Sequence, residues 1–149
     1  MPRRIVLRGP AGIGPTVEGE ALVSRHGFSA RYDLNRLTGT FSRESHDLYG
    51  QSVVGRILVH TTAKGGVATA WALLDMKERG VAPLGLIFQT SNPIMAQGAA
   101  LAGVAIMHRL QPDPHEVIET GDYLRMDPAH GTVEVEKRAG RVIDFVRVP

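Results

Sequence analysis

The feature that most constrains the fold of this sequence is a β-prone run at residues 56–61, followed at once by a glycine loop and a helical pattern. The loop contains Lys64, Gly65 and Gly66, and the helix is predicted over residues 67–79. A strand that turns through glycines into a helix directs unpaired backbone N–H groups and the positive end of the helix dipole at one place. We therefore predict that this loop binds a carboxylate or phosphate group.

The helix after the loop has apolar residues at the spacing i, i+3, i+4, i+7, which predicts one apolar face formed by Val67, Ala70, Trp71 and Leu74. Gly80 stands where a left-handed residue commonly ends a helix. The pattern therefore predicts a helix of about three turns with a defined end.

Two more apolar runs, at residues 84–88 and 104–107, read as buried strands. Between them a helix is predicted over residues 94–102, because Asn92 and Pro93 form an N-cap followed by proline at the first helical position. Strand, helix, strand, helix, strand with short links predicts a parallel βαβαβ unit with right-handed crossovers.

The flanks of this unit are rich in strand and turn signals. Strands are predicted at residues 17–24, 28–34, 122–126, 132–136 and 141–148. The fold class is therefore α/β with β-rich N- and C-terminal flanks, in a single domain that covers residues 1–149.

Composition excludes several classes of function. The chain has no cysteine, which rules out disulfides, thiol nucleophiles and an iron–sulfur cluster held by its own thiolates. Scattered arginines and 5% aromatic residues disfavour nucleic-acid binding. No apolar run approaches the roughly 20 residues that span a bilayer, and the N-terminal apolar stretch is too short for a signal peptide. We predict a cytoplasmic protein that binds neither nucleic acid nor a membrane.

The predicted anion site has two groups of candidate residues. The substrate-binding candidates are Lys64, the loop and helix N–H groups, and a residue of the neighbouring loop: Lys64, Gly65, Gly66, Val67, Ala68 and Asn92. Thr69 is the nearest hydroxyl, and His46 stands beside Asp47 in a polar loop, so these two are the candidates for proton transfer. The six histidines have no compact metal-ligand spacing, so no metal site is predicted. The alternative to an anion site in the Lys64 loop is an ordinary strand–helix turn, in which the glycines serve the backbone geometry and the lysine serves solubility.

A series of short motifs resembles the small-subunit or swivel domain of the aconitase X family, once catalogued as a domain of unknown function. The matching segments run nearly the whole length, at residues 19–23, 37–40, 46–50, 54–59, 64–66, 80–83 and 94–99. The resemblance implies a swivelling β/β/α fold and a large subunit that carries an iron–sulfur cluster or another metal centre. It also implies dehydration of a small hydroxy acid, such as phosphomevalonate or cis-3-hydroxyproline.

One position departs from the family pattern. Many members have Gly-Ser-Ser in the loop, and a serine there is taken as the catalytic base, whereas Gly66 and Val67 stand here. The serine chemistry is therefore not carried over to this chain.

The leading functional hypothesis is the small subunit of an aconitase X-type hydro-lyase, which closes over its large subunit around a small carboxylic-acid substrate. The alternatives are a non-catalytic metabolite-binding or regulatory module and a scaffolding subunit. A subunit that docks in this way should expose an apolar patch, through which the isolated chain could self-associate.

Overall fold

The computed structural model describes residues 4–64 and 67–138. Within them the chain forms β1 (Arg4–Arg8), β2 (Val17–Val23), α1 (Ala30–Asp33), β3 (Leu34–Asn35), β4 (Thr40–Phe41), β5 (Arg56–Thr62), α2 (Val67–Glu78), β6 (Gly85–Thr90), α3 (Pro93–Ala102), β7 (Ala105–His108), α4 (Pro114–Val117), β8 (Tyr123–Asp127) and β9 (Thr132–Glu136). A 3₁₀ turn at Pro128–His130 joins β8 to β9. None of the helices in this part of the chain is long and apolar enough to cross a bilayer.

The main sheet has seven strands in the order β1-β9-β8-β2-β5-β6-β7. Strands β2, β5, β6 and β7 are parallel to one another, whereas β8 and β9 form an antiparallel hairpin and β1 adds to it antiparallel. The unit β5-α2-β6-α3-β7 confirms the predicted parallel βαβαβ core, and the flanking β-strands confirm the predicted fold class.

The two edges of this sheet are joined to each other. At the end of β1, Arg8 exchanges two backbone hydrogen bonds with Gln111, at 2.9 and 2.7 Å. Ile13, in the loop after β1, exchanges two more with Ile106 of β7, at 3.1 and 2.9 Å. These bonds pair part of each edge and curl the sheet into a barrel-like form, which reduces the length of exposed edge that invites aggregation.

Alternating residues of β5 pack on opposite sides of the sheet, as the two-residue period of a strand requires. Ile57 and Val59 lie in the inner core, whereas Leu58 and His60 lie in the outer layer beneath the helices. The inner core is closed by apolar residues of the other strands and of the segments that follow them: Leu7, Ala21, Ile87, Ala105, Met107, Leu110, Ile118, Leu124, Met126, Val133 and Val135.

Helix α2 packs with a different face from the one predicted. The residues buried against the sheet are Thr69, Ala72, Leu73 and Met76. Val67 and Trp71, from the predicted apolar face, are 63% and 62% exposed. The prediction of the packing face is wrong because α2 is apolar on both sides, so that its spacing fits either side equally well. The helix consequently presents apolar side chains to solvent.

Helices α2 and α3 lie side by side and form a shallow apolar groove on the outer surface. A Cβ added at Gly98 of α3 would lie only 2.6 Å from the Cβ of Ala70 in α2, so that glycine is needed for this close approach. We call the exposed surface along the two helices the α2–α3 face, which consists of Val67, Ala70, Trp71, Leu74, Ile94, Gln97 and Leu101.

The predicted strand at residues 28–34 is also wrong, because the segment turns into the short helix α1. Asp33 is fully buried, and its carboxylate accepts a hydrogen bond from the Ser29 N–H at 2.8 Å. The Asp33 N–H donates back to the Ser29 carbonyl at 2.9 Å, which closes a helical turn, and Tyr32 is 60% exposed although the alternating pattern would bury it. The strand predicted at residues 141–148 lies outside the described residues.

Candidate functional site

The loop that follows β5 is held in place by the segment that follows β2. The Phe28 N–H donates to the Thr62 carbonyl at 2.9 Å, and the Lys64 N–H donates to the Phe28 carbonyl at 2.8 Å. Lys64 itself is exposed and has no ion-pair partner within residues 4–64 and 67–138. Its ammonium is therefore free to bind a negatively charged group at the carboxyl edge of the parallel strands, where ligands bind in both open and barrel-shaped parallel α/β folds. Gly65 and Gly66 lie outside the described residues.

The first turn of α2 follows this loop directly. Val67 is the first helical residue and Ala68 the second, in a helix of 12 residues. The N–H groups of a first helical turn have no intrahelical acceptor, and the helix dipole adds positive potential at the same end. The helix therefore begins with donors suited to an anion beside Lys64.

Gly27 lies beneath the Lys64 side chain. A Cβ added at Gly27 would lie 2.9 Å from Cε of Lys64 and 2.9 Å from the Thr62 hydroxyl oxygen. The absence of a side chain at residue 27 therefore allows the aliphatic part of the Lys64 side chain to lie across the backbone of Gly27. This contact positions the lysine ammonium.

Asn92 connects the Lys64 loop to α3. Its Oδ1 accepts the Met95 N–H at 2.8 Å, as an N-cap does, and its Nδ2 donates to the Ala63 carbonyl at 3.3 Å. One N–H of the amide remains after these contacts. Asn92 therefore holds the residue before Lys64 and still has a donor for a ligand.

Thr69 lies on the buried side of α2. Its hydroxyl is 2.9 Å from the Ser29 hydroxyl, and both side chains are buried. The pair joins the start of α1 to the first turn of α2. The hydroxyl of Thr69 is therefore engaged inside the protein, on the face of α2 that packs against the sheet.

His46 is also enclosed, at 5% exposure. Its Nδ1 accepts the Leu48 N–H at 3.1 Å, so the hydrogen of the neutral ring is on Nε2, which donates to the Gly27 carbonyl at 3.1 Å. Both nitrogens are thus paired, and the ring supports the segment over which Lys64 lies.

Within the described residues, one group could in principle ligate a metal: His26, His46 and Asp47, whose ligand atoms lie within 4.8 Å of one another. Burial would raise the pKa of Asp47, but hydrogen bonds from the Ser24 hydroxyl and the Arg25 N–H outweigh it and hold that pKa below its usual value. The Nδ1 of His26 accepts the Asp47 N–H at 3.3 Å.

The Nδ1 lone pairs of His26 and His46 are therefore used by backbone N–H donors, and each carboxylate oxygen of Asp47 already accepts one hydrogen bond. Together with the absence of cysteine, this makes the chain a poor match for an iron–sulfur cluster.

His60, near the end of β5, lies in the outer layer behind this loop. It is fully buried, and burial is the main cause that lowers its pKa to about 3. Its Nδ1 donates to the His26 carbonyl at 3.2 Å, and its Nε2 has no partner in the described residues. The ring is therefore a neutral part of the core and not a proton donor at neutral pH.

The structure brings Lys64, Asn92 and the start of α2 together at the carboxyl edge of the sheet. Thr69 and His46 lie close behind this edge but make internal hydrogen bonds. The support from Gly27 could not have been found from the sequence, because it depends on a contact across 37 residues.

Comparison with known proteins identifies the family. The model of the aconitase X swivel domain matches residues 6–135. A phosphomevalonate dehydratase small subunit from Methanosarcina acetivorans is 30% identical over 140 residues, which is 94% of this chain and 97% of the relative. Its counterpart from Methanopyrus kandleri is 34% identical over 119 residues, covering 80% and 87% of the two chains.

A solved structure agrees with the sequence relatives. The crystal structure of Thermococcus kodakaraensis aconitase X, in its holo-form, superposes with a TM-score of 0.83 at 28% identity, covering 89% of this chain and 99% of that chain. The comparisons confirm the prediction of an aconitase X-type hydro-lyase small subunit. The relatives are small subunits by name, which implies a large subunit as partner. This chain belongs to the aconitase X swivel-domain family.

Proposed function

We propose that this chain binds the anionic end of a small phosphorylated hydroxy acid, phosphomevalonate or a close analogue, while a large subunit dehydrates it. The observation that carries the proposal is the exposed Lys64, which has no ion-pair partner in the described residues and stands three positions before the first residue of a 12-residue helix. The curated relatives, which are named phosphomevalonate dehydratase small subunits, supply the substrate class.

The chemistry of the site is electrostatic. Dehydration removes a proton from carbon and expels the hydroxyl group as water. The anionic group of the substrate therefore has to be bound in a fixed position during this elimination. Lys64 and the N–H groups of Gly65, Gly66, Val67 and Ala68 hold the anionic group in this proposal, and Asn92 fixes the loop and offers its remaining N–H. Such donors act most strongly where water is excluded.

Thr69 and His46 have a supporting role in this proposal. Their polar atoms already bind Ser29, Leu48 and Gly27. They therefore act as positioning residues for the two segments that hold Lys64, and the proton acceptor belongs to the large subunit. The cofactor is likewise assigned to the large subunit, because this chain offers no thiolate and no free imidazole–carboxylate set in the described residues.

The α2–α3 face is the surface we assign to the large subunit. It begins at Val67, whose N–H also belongs to the proposed anion site, so one docking event would cover both. Val67, Trp71 and Leu101 are each more than 60% exposed, which is unusual for apolar residues arranged in one contiguous groove.

The test is to coexpress the chain with an aconitase X-type large subunit, purify the complex and follow the loss of water from phosphomevalonate. Activity of the complex, with neither chain active alone, is the expected result. A chain that binds the metabolite in isolation but forms no active complex would overturn the proposal in favour of a metabolite sensor.

A further inference from the structure

A cavity opens at the same edge of the sheet, two strands away from Lys64. Its volume is about 340 Å³, within the range of small-molecule sites. It lies between the loop after β1, the end of β7 and the start of α3. The lining residues are Ala11, Gly12, Ile13, Ser91, Asn92, Pro93, Ala96, Ile106, Met107, His108 and Arg109.

The charged residue of this cavity is Arg109. None of the eleven lining residues is acidic, and Arg109 has no ion-pair partner in the described part of the chain. A neighbouring depression on the other side of Arg109 contains Asp113, but that carboxylate accepts from the Gln89 amide at 3.3 Å and from the His115 N–H at 3.0 Å. The guanidinium is therefore available to an anion in the cavity.

The backbone at Arg109 adds an independent observation. Its φ is +55°, and it is the one non-glycine residue with a positive φ in the described residues. A side chain larger than glycine adopts this conformation at some cost, and such residues concentrate at ligand sites. The positive φ of Arg109 therefore favours a role in ligand binding.

The neighbours of Arg109 complete a donor set. His108 Nδ1 accepts the Ser91 N–H at 3.2 Å, so the neutral ring has its hydrogen on Nε2 and can donate. Burial, together with the charge of Arg109, lowers the pKa of His108 and keeps the ring neutral. The cavity also adjoins the start of α3, a helix of 10 residues, whose dipole favours an anion.

We propose that this cavity binds the phosphate group of the substrate, with Arg109 as its counter-ion, while Lys64 binds the other anionic end. The inference rests on the proposed function, since it divides one substrate between two subsites. Strands β5, β6 and β7 are neighbours, so the ends of β5 and β7 lie about 10 Å apart. Long lysine and arginine side chains can bridge that distance to a short carbon chain with a charge at each end. Phosphate is assigned to Arg109 because the guanidinium fork matches phosphate oxygens.

The test uses the complex with the large subunit and two matched pairs of variants. Arg109→Asn removes the charge but tolerates the left-handed backbone, and Arg125→Gln is the control at an exposed arginine on β8. Ala96→Asp adds a repelling carboxylate to the cavity, and Ala96→Asn is its neutral control. The kinetic constants for phosphomevalonate and the inhibition by inorganic phosphate are measured for each.

Arg109→Asn and Ala96→Asp are expected to raise KM by about 10- to 100-fold with little change in kcat, and to weaken inhibition by inorganic phosphate equally. Arg125→Gln should resemble the wild type, and Ala96→Asn should raise KM less than Ala96→Asp, because it adds a similar volume to the cavity without the charge. An active complex in which both variants keep the wild-type KM and phosphate inhibition would overturn the inference but leave the proposed function standing. If the wild-type complex is inactive, the proposed function fails, and calorimetric titration with inorganic phosphate decides the cavity: binding lost in Arg109→Asn supports it, and equal binding overturns it.

Discussion

The side-chain amide of Asn92 donates to the carbonyl of Ala63 at 3.3 Å, while its oxygen caps α3 by accepting the Met95 N–H. One residue thus joins the start of a helix to the loop before Lys64. We expect Asn92→Ser to keep the cap, because serine is also a good N-cap, but to lose the contact with Ala63. Activity of the complex should fall several-fold while the free energy of unfolding changes little.

The matched variant is Asn92→Ala, which removes both interactions. It should lower the free energy of unfolding by about 0.5–2 kcal/mol, the usual effect of losing an N-cap. Urea denaturation of both variants, together with their dehydratase rates, separates the two roles. Equal activity of Asn92→Ser and the wild type would show that neither the Ala63 contact nor the remaining amide N–H has a functional consequence.

Gly27 permits the Lys64 side chain to lie across the backbone, and this predicts a specific effect of adding one methyl group. In Gly27→Ala the new Cβ would lie 2.9 Å from both Cε of Lys64 and the Thr62 hydroxyl oxygen, so these two exposed side chains have to move while the fold is kept. The complex should lose activity, with a melting temperature close to that of the wild type. Wild-type kinetics in Gly27→Ala would mean that the resting position of Lys64 does not matter.

The buried His60 makes stability depend on pH. Its pKa is about 3 in the folded protein against an ordinary 6.5, so below pH 6.5 the unfolded chain binds a proton that the folded chain does not. This contribution to stability is complete above pH 6.5 and is lost as the pH falls toward 3. The loss amounts to about 1.4 kcal/mol per pH unit, or about 2 kcal/mol at pH 5.

Replacing His60 with leucine should remove this dependence. The His26 carbonyl would still accept the Thr61 N–H at 3.3 Å, and the surrounding Phe28, Phe41 and Phe88 rings would pack on an apolar side chain. Urea midpoints measured from pH 7 to pH 4.5 should fall more steeply for the wild type than for His60→Leu. Parallel curves would contradict the assignment of the acid sensitivity to His60.

The parallel core could be predicted from the sequence because its signals are local. The Asn92-Pro93 start and the Gly103 end of α3 are confirmed, and Gly103 has the left-handed φ of 69° that a C-terminal glycine provides. Residues 57–59 of β5 are all apolar, as is typical of buried parallel strands. Each of these sequence patterns is compatible with only one type of secondary structure, so the helix and the strands could be predicted directly from them.

The errors arose where one pattern admits two structures. Helix α2 is apolar on two sides, and only the sheet beneath it selects Leu73 over Trp71 as the buried residue. The alternation at residues 28–34 also fits a strand, but the hydrogen bond between Ser29 and Asp33 closes a turn. The cavity at Arg109 could not be predicted, because no local signal indicates a positive φ at an arginine.

If the large subunit binds the α2–α3 face, substitutions on this face should weaken the complex between the two subunits. Leu101→Ser removes an apolar side chain that is 63% exposed, so the isolated chain should keep its stability. Its affinity for the large subunit should fall by about tenfold if this face is the interface. Leu37→Ser, at 65% exposure in the turn between β3 and β4, is the control. Sedimentation or calorimetry that finds equal affinities for the two variants would place the interface elsewhere.

The central claim is that Lys64 holds an anionic group of the substrate, and the most direct measurement is kcat/KM of the purified complex with Lys64→Ala. Lys77→Ala, at an exposed lysine in the last turn of α2, is the matched control. Loss of a charge-assisted hydrogen bond predicts a decrease of about 10- to 100-fold for Lys64→Ala, with assembly intact and Lys77→Ala unaffected. A Lys64→Ala complex with the full kcat/KM of the wild type would contradict the claim.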